Sequence, residues 1–236
     1  MISKIPNKLQ NIQSLKNKYY ALRHGQSLAN VAKIISSDPS ISTVQHGLSN
    51  LGKEQVSTSA QSFTQTYMNE CQDRYKGVAI FSSDFTRARE TADIFAKTLL
   101  DANIPLFHNG VKHEVRLRER FFGDFNGKSD EHYQDVWEVD CTDPDHTEFG
   151  CESVNSVLVR MSQLILDIDN EINVVDDKPQ KVILVAHGDV LQVSMYGLLS
   201  PMDILILFHN RLTFKFNWED IANCISKERW ERTSIT

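Results

Sequence analysis

The sequence predicts an α/β fold, arranged as a three-layer α/β/α sandwich with a mainly parallel central sheet. Three segments carry this prediction, because each joins a short apolar strand, an abrupt polar turn and a stretch of helical periodicity. Their strands are residues 19–22, 78–81 and 182–186. Strands that alternate with helices are typical of parallel sheets covered on both faces. The strands are apolar throughout, which is typical of a sheet buried on both sides.

The first polar turn carries two basic side chains directly after its strand. Arg23, His24 and Gly25 follow Leu22, and Ser27 is the expected N-cap of the next helix. This unit therefore places an arginine and a histidine at the carboxyl end of a strand.

The other two turns are built in the same way. The second, 82–84, leads into a helix that carries Arg87 near its start. The third, 187–189, begins with a histidine and leads into a helix through Leu199.

The rest of the chain supplies connecting elements within one predicted domain, 1–236. We expect helices at 52–69 and 151–171, short strands at 115–117 and 208–218, and surface loops at 36–50 and 140–150. Apolar residues at helical spacing predict an N-terminal amphipathic extension at 1–18. A mitochondrial presequence is the alternative, although such peptides favour arginine and this stretch has none.

Composition and charge exclude several classes of protein. Hydrophobic residues make up 41% and charged residues 24%, as in an ordinary globular chain. No apolar run approaches the roughly 20 residues of a membrane-spanning helix, so no membrane partner is predicted. The formal net charge of -6 argues against nucleic acid as a partner, because phosphate backbones require a positive surface.

The four cysteines give no metal-binding or disulfide pattern. Cys71, Cys141, Cys151 and Cys224 form no C-x-x-C pair and have no zinc spacing. We interpret them as free thiols in a reducing compartment and expect a cytoplasmic protein.

The predicted topology brings the basic residues of the three units together. Ligands of open α/β sheets bind beyond the carboxyl ends of the strands. Arg23, His24, Arg87 and His187 converge there, together with helix N-termini, and this combination predicts a site for a tetrahedral dianion such as phosphate. Scattered surface arginines and histidines are the alternative interpretation.

Five motifs in order resemble the histidine phosphatase superfamily, whose members include the cofactor-dependent phosphoglycerate mutases. They cover residues 19 to about 199 and are Leu-Arg-His-Gly-Gln-Ser at 22–27 with Asn30, Ser-Ser-Asp-Phe-Thr-Arg-Ala-Arg-Glu-Thr-Ala at 82–92, Leu-Arg-Glu-Arg-Phe-Phe-Gly at 117–123, Gly-Cys-Glu-Ser at 150–153 and Ala-His-Gly-Asp at 186–189.

The resemblance implies a catalytic role for five residues. His24 would attack phosphorus and form a phosphohistidine, with its other ring nitrogen donating to a backbone carbonyl. Arg23, Arg87 and His187 would hold the phosphoryl oxygens. Glu119 would act as general acid and base, which requires burial to raise its pKa.

The resemblance also implies substrate binding by Asn30, Ser27 and Gly188. Arg120 is a candidate for binding a carboxylate or second phosphate of the substrate, and ordinary surface salt bridging is the alternative. No metal ligand set accompanies His24 or His187, so neither a metal nor another cofactor is predicted.

The resemblance leaves three functions open. A phosphomonoester hydrolase acting on a small phosphorylated substrate is favoured, because the segment between Glu119 and His187 is short and the stretch 140–150 is acidic. That stretch would repel a glycerate carboxylate. A cofactor-dependent phosphoglycerate mutase is the first alternative, and a non-catalytic phospho-ligand-binding module is the second. A homodimer is left open.

Overall fold

The computed structural model describes residues 15–70, 77–175, 180–198 and 204–207. Its described part forms a five-stranded sheet in the order β3-β2-β4-β1-β5. The strands are β1 (Lys18–Arg23), β2 (Val78–Ser82), β3 (Leu106–His113), β4 (Lys181–Ala186) and β5 (Ile204–Leu207). Each of the four neighbouring pairs is parallel.

Seven helices lie among the described residues. They are α1 (Leu28–Ala32), α2 (Pro39–Ser42), α3 (Asn50–Asn69), α4 (Thr86–Asp101), α5 (Tyr133–Asp140), α6 (Val154–Val175) and α7 (Gly188–Leu198). None of the helices within these ranges is long and apolar enough to cross a membrane.

Helices cover both faces of the sheet, and the predicted three-layer sandwich is confirmed. Successive strand residues point to opposite faces. Tyr19 and Ala21 of β1 therefore join a core with α6 and α7, whereas Tyr20 and Leu22 join a second core with α3 and α4. Burial on both faces is the physical reason that the central strands are apolar at nearly every position.

A third, smaller cluster lies outside the sheet. It consists of Ile35, Phe122, Val136 and Cys151, and Tyr133 packs against it. Val136 and Tyr133 belong to α5, so this cluster fixes α5 to the loops that precede and follow the predicted Glu119 motif.

The structure corrects one predicted strand. Residues Val115–Leu117 form a 3₁₀ turn that the Glu114 side chain caps, and the strand of this region is β3. β3 is an edge strand paired with β2, and half-buried and exposed residues dominate it. It therefore lacks the continuous apolar run that identified β1, β2 and β4 in the sequence.

Some predicted elements fall on residues that the structure does not describe. The amphipathic helix before residue 15, the end of the third helix at Leu199 and the strand at 208–218 lie outside the described residues. Cys141 and Cys151 are free thiols, whereas Cys71 and Cys224 also lie outside the described residues.

Candidate active site

The imidazole of His24 is held in one tautomer at the carboxyl end of β1. Its backbone N–H donates to the Ala186 carbonyl oxygen of β4 at 3.1 Å. Nδ1 lies 2.7 Å from the Gly25 carbonyl oxygen, and Arg87 Nε donates to Nε2 at 3.0 Å. A guanidinium can only donate, so Nε2 carries the lone pair and Nδ1 carries the proton. An imidazole with a free lone pair is the form a nucleophile requires.

Gly25 allows the His24 turn to pass close to another element. A Cβ atom at this position would lie 2.5 Å from the Gly52 carbonyl oxygen and 2.9 Å from Val56 Cγ2, both in α3. A Cβ at either distance is sterically forbidden unless the chain shifts. The glycine therefore fixes the turn against α3 and, with it, the place of His24.

Arg87 is a buried cation with one unused donor. It is 4% exposed, and its Nη2 donates to the Ser36 carbonyl oxygen at 2.8 Å. Its Nη1 is buried and finds no hydrogen-bond acceptor among the described residues. Burying a charged donor without a partner is costly. Nη1 is thus available to an anionic ligand.

His187, at the carboxyl end of β4, offers a second unused donor. Its ring centroid lies 5.0 Å from that of His24. Ser83 Oγ accepts from the Phe85 N–H at 3.3 Å and lies 2.9 Å from His187 Nε2. Where the hydroxyl donates to Nε2, the proton of the neutral ring lies on Nδ1, which is buried and has no partner within the described ranges.

Two causes keep His187 neutral. Burial is the larger, and the positive charge of Arg87 is the next, and together they hold the pKa of His187 well below its usual value. His187 therefore contributes a neutral N–H donor to the site at any pH near neutrality.

Arg23 supplies the second guanidinium. It ends β1, and a Cβ at Gly188 would lie 3.4 Å from Arg23 Nε. Gly188, at the start of α7, therefore lies directly against the guanidinium, although a Cβ at this position would make only ordinary van der Waals contact. Burial lowers the pKa of Arg23 to about 10, so Arg23 stays charged near neutral pH.

Glu119 is a buried carboxyl group near both arginines. It is 8% exposed, and its Oε1 accepts from the Arg120 N–H at 3.1 Å. Burial and the neighbouring Asp189 carboxylate raise the pKa of Glu119 to about 7, against the lowering effect of Arg87 and Arg23. A carboxyl group with such a pKa can both give and take a proton at neutral pH.

Ser27 and Asn30 form a capping box at the start of α1. Asn30 Oδ1 accepts from the backbone N–H and the hydroxyl of Ser27, both at 3.0 Å, and Ser27 Oγ accepts from the Asn30 N–H at 3.2 Å. The cap uses the amide oxygen of Asn30, so a ligand would be bound through Nδ2. Ser27 is fully buried and acts on the site by holding this helix start.

Arg120 is placed differently from the prediction. Its guanidinium is fully buried and donates to both Asp140 carboxylate oxygens, at 2.6 and 2.7 Å, and to the Glu152 carbonyl oxygen at 2.6 Å. These donors are already used. The geometry therefore gives Arg120 a structural role in place of the predicted substrate-binding role.

Two aromatic residues of α5, which none of the sequence motifs includes, lie beside the site. The rings of Tyr133 and Trp137 stack with centroids 5.2 Å apart, and Tyr133 packs edge-on against Phe122 at 4.7 Å. Burial and then the Glu119 carboxylate raise the pKa of Tyr133. The i, i+4 spacing of the two aromatic residues is their one trace in the sequence.

The comparisons with known proteins agree with this geometry. The family profile "Histidine phosphatase superfamily (branch 1)" matches residues 19–213. No curated protein matches the chain.

Several solved structures share the fold. A mycobacterial glucosyl-3-phosphoglycerate phosphatase has a TM-score of 0.58 and 22% identity, over 89% of this chain and 84% of its own. A phosphoserine phosphatase from Entamoeba histolytica, solved with 3-phosphoglyceric acid, has a TM-score of 0.52 and 21% identity, over 77% of this chain and 79% of its own. A protein described as mycobacterial hydrolase 1 has a TM-score of 0.55 and 23% identity, over 75% and 78%.

Proposed function

The chain belongs to branch 1 of the histidine phosphatase superfamily, and we propose that it is a phosphomonoester hydrolase that works through a phosphohistidine on His24. The observation that carries the proposal is that Nε2 of His24 accepts from Arg87, while two buried nitrogen atoms of the residues beside His24, Arg87 Nη1 and His187 Nδ1, have no partner among the described residues. Donors fixed in a buried site stabilise the charge of a transferring phosphoryl group without reorganisation.

In the first step, His24 Nε2 attacks the phosphorus atom and the bond to the ester oxygen breaks. Arg87 Nε, which donates to Nε2 before substrate binds, moves its hydrogen bond to a phosphoryl oxygen. The Nδ1–H bond to the Gly25 carbonyl stabilises the positive charge that the ring acquires. Glu119 gives its proton to the departing alkoxide.

In the second step, the Glu119 carboxylate takes a proton from water while the water oxygen attacks phosphorus. The phosphorus–nitrogen bond breaks, inorganic phosphate leaves, and His24 regains its lone pair. Glu119 is again protonated, so the cycle closes without another reactant.

The ion pairs around the site favour hydrolysis over the mutase reaction. Arg118 is paired with Asp84, Arg120 with Asp140 and Arg160 with Glu152, each through two guanidinium nitrogens. A glycerate carboxylate would have to displace one of these partners. The proposed substrate is therefore small and carries a single phosphate group.

Metal independence is part of the proposal. Arg23 and Arg87 provide the positive charge that a metal ion would otherwise supply, and the described residues contain no group of three or more side chains suited to hold one.

The proposal is tested by phosphate release from p-nitrophenyl phosphate and a panel of phosphorylated metabolites in the presence of EDTA. We expect turnover in EDTA. Loss of activity that Mg²⁺ or Mn²⁺ restores would contradict metal independence. Interconversion of 2- and 3-phosphoglycerate that outpaces hydrolysis, after priming with bisphosphoglycerate, would identify a mutase. Phosphate binding without turnover would identify the non-catalytic module.

Replacing Glu119 by glutamine separates proton transfer from phosphoryl binding. We expect kcat/KM for an alkyl phosphate to fall about 1,000-fold, because its alkoxide must be protonated as it leaves. The loss for p-nitrophenyl phosphate should be about tenfold or less, since p-nitrophenolate leaves without a proton. Equal losses for both substrates would contradict the assignment of Glu119 as the acid.

A further inference from the structure

A buried serine lies against the second histidine of the site and has no role in the steps above. Ser83 follows β2 directly, His187 follows β4 directly, and both residues are fully buried. Ser83 Oγ lies 2.9 Å from His187 Nε2. The sheet fixes this contact, because β2 pairs with β4 and the Ser83 N–H donates to the Val185 carbonyl oxygen at 2.9 Å.

Two aromatic rings hold the ring of His187 in place. The Phe85 centroid lies 5.1 Å from that of His187 with an interplanar angle of 62°, and the His24 centroid lies 5.0 Å away with an angle of 61°. Edge-on packing of this kind is favourable and directional. The ring of His187 therefore has a fixed orientation, in which Nε2 is the nitrogen that meets Ser83.

The hydrogen bonds of Ser83 decide which group donates in this contact. Ser83 Oγ accepts from the Phe85 N–H at 3.3 Å, and its hydroxyl hydrogen has one acceptor among the described residues, His187 Nε2. If Nε2 carried the proton and donated, two buried groups would lack a partner: the Ser83 hydroxyl hydrogen and the Nδ1 lone pair of His187. A buried polar group without a partner is costly. The arrangement in which Ser83 donates leaves only one such group, the Nδ1–H.

The Nδ1–H of His187 is a group that a phosphoryl oxygen can use. A phosphoryl oxygen only accepts, so it is bound by an N–H and repelled by a lone pair. The ring of His187 packs against that of His24, the proposed nucleophile. A substrate phosphoryl group at His24 would therefore supply the acceptor that Nδ1–H lacks within the described ranges.

We propose that Ser83 is a positioning residue: its hydroxyl donates to Nε2 of His187 and thereby fixes the ring as the Nδ1–H tautomer that binds a phosphoryl oxygen. The hydrogen bond at one nitrogen of a neutral imidazole sets which nitrogen carries the proton. The task of this N–H rests on the proposed function, whereas the tautomer itself does not. The two histidines then have complementary roles, because His24 presents a lone pair on Nε2 and His187 presents a proton on Nδ1.

The tautomer is measured on the wild-type protein, without any substrate, by long-range ¹H–¹⁵N correlation spectra of ¹⁵N-histidine-labelled protein near neutral pH. Protonated and unprotonated nitrogens of a neutral imidazole resonate far apart. The resonances of His187 are assigned by their loss in His187→Gln and by their contacts with the Phe85 ring. We expect a protonated Nδ1 and an unprotonated Nε2. A protonated Nε2, alone or together with a protonated Nδ1, would overturn the proposal.

Replacing Ser83 by alanine tests the consequence for catalysis. Without the hydroxyl, nothing holds His187 in the Nδ1–H form, and the other tautomer turns a lone pair to the phosphoryl group. We expect kcat for p-nitrophenyl phosphate to fall about 30-fold, with a smaller change in KM, because a fixed donor acts mainly on the charge of the transition state. An alkyl phosphate should show the same loss, since the phosphoryl oxygen and not the leaving group is affected. Glu119→Gln, in contrast, affects the two substrates unequally.

Two further variants complete the test. Ser83→Thr keeps the hydroxyl, so it should keep the Nδ1–H tautomer and most of the wild-type kcat. A threonine variant with this tautomer and a kcat as low as that of Ser83→Ala would contradict the role of the hydroxyl. Ser162→Ala removes an equally buried hydroxyl, which donates to the Val159 carbonyl oxygen at 2.9 Å in α6. It should change neither kcat nor the resonances of His187.

The outcomes separate this inference from the proposed function. A wild type with the Nδ1–H tautomer that does not hydrolyse phosphomonoesters removes the proposed function and leaves the tautomer assignment standing. Ser83→Ala with wild-type kcat overturns the positioning role. A loss of kcat in Ser83→Ala without any change in the tautomer of His187 also overturns it, because that is the signature of a merely structural residue. If Ser83→Ala does not fold, the wild-type spectrum decides.

Discussion

Replacing His24 by alanine is expected to abolish phosphate release, with a loss of at least about 10,000-fold in kcat. The Nε2 lone pair, fixed by the Gly25 carbonyl and aligned by Arg87, is the proposed nucleophile. The measurement is phosphate release from p-nitrophenyl phosphate at enzyme concentrations high enough to detect residual turnover.

The matched control is His113→Ala. His113 is an exposed residue at the end of the edge strand β3. It should keep wild-type activity. His24→Ala with more than a few per cent of wild-type turnover would contradict the nucleophile assignment. Retained folding is checked by circular dichroism and the unfolding midpoint.

Replacing Arg87 by lysine is expected to lower kcat/KM by about 1,000-fold, although the charge is kept. The guanidinium contacts two groups at once, His24 through Nε and the Ser36 carbonyl through Nη2, and its Nη1 remains for the phosphoryl group. A single ammonium group cannot form all three contacts. We expect most of the loss in kcat, because these donors act mainly on the charge of the transition state.

Arg116→Lys provides the control for this substitution. Arg116 is paired with Glu114 and Asp167 on the surface, so the same chemical change there should leave kcat/KM unaltered. An Arg87→Lys protein with wild-type kcat would show that the guanidinium geometry is dispensable. It would contradict the role given to the unused Nη1 donor.

The sequence predicted the central sheet well because burial on both sides leaves a clear pattern. β1, β2 and β4 are apolar at nearly every position, and each ends in a polar turn. β3 left no such pattern, because an edge strand exposes many of its side chains. A strand that is buried on both faces can therefore be recognised from its sequence, whereas a partly exposed edge strand cannot.

The convergence of the basic residues could be predicted for a similar reason. Arg23, His24 and His187 follow directly on buried strands, and Arg87 lies in the first turn of a helix that follows another. Parallel topology alone brings such positions to one edge of the sheet. The order of strands and helices along the chain therefore accounts for the positions of these four basic residues.

The positions of the acidic residues near the site depend on contacts between distant segments, which the local sequence does not predict. The sequence makes Arg120 a candidate substrate ligand, because the residue with which it pairs in the fold is distant in the chain. That partner, Asp140, lies twenty residues away at the end of α5. Trp137 reaches Asp189 because Val136 and Tyr133 pack α5 onto the cluster around Phe122. Packing between distant segments, which no motif encodes, therefore decides which groups these side chains contact.

The most direct test of the phosphohistidine is to trap it. The protein is mixed with a ³²P-labelled phosphomonoester, quenched within milliseconds, digested and mapped by mass spectrometry. We predict one phosphoryl group per chain on His24 Nε2, labile in acid and stable in base, and absent from His24→Ala. A rapidly hydrolysing wild type with no trapped phosphoenzyme, or a phosphoryl group on another residue, would contradict the account.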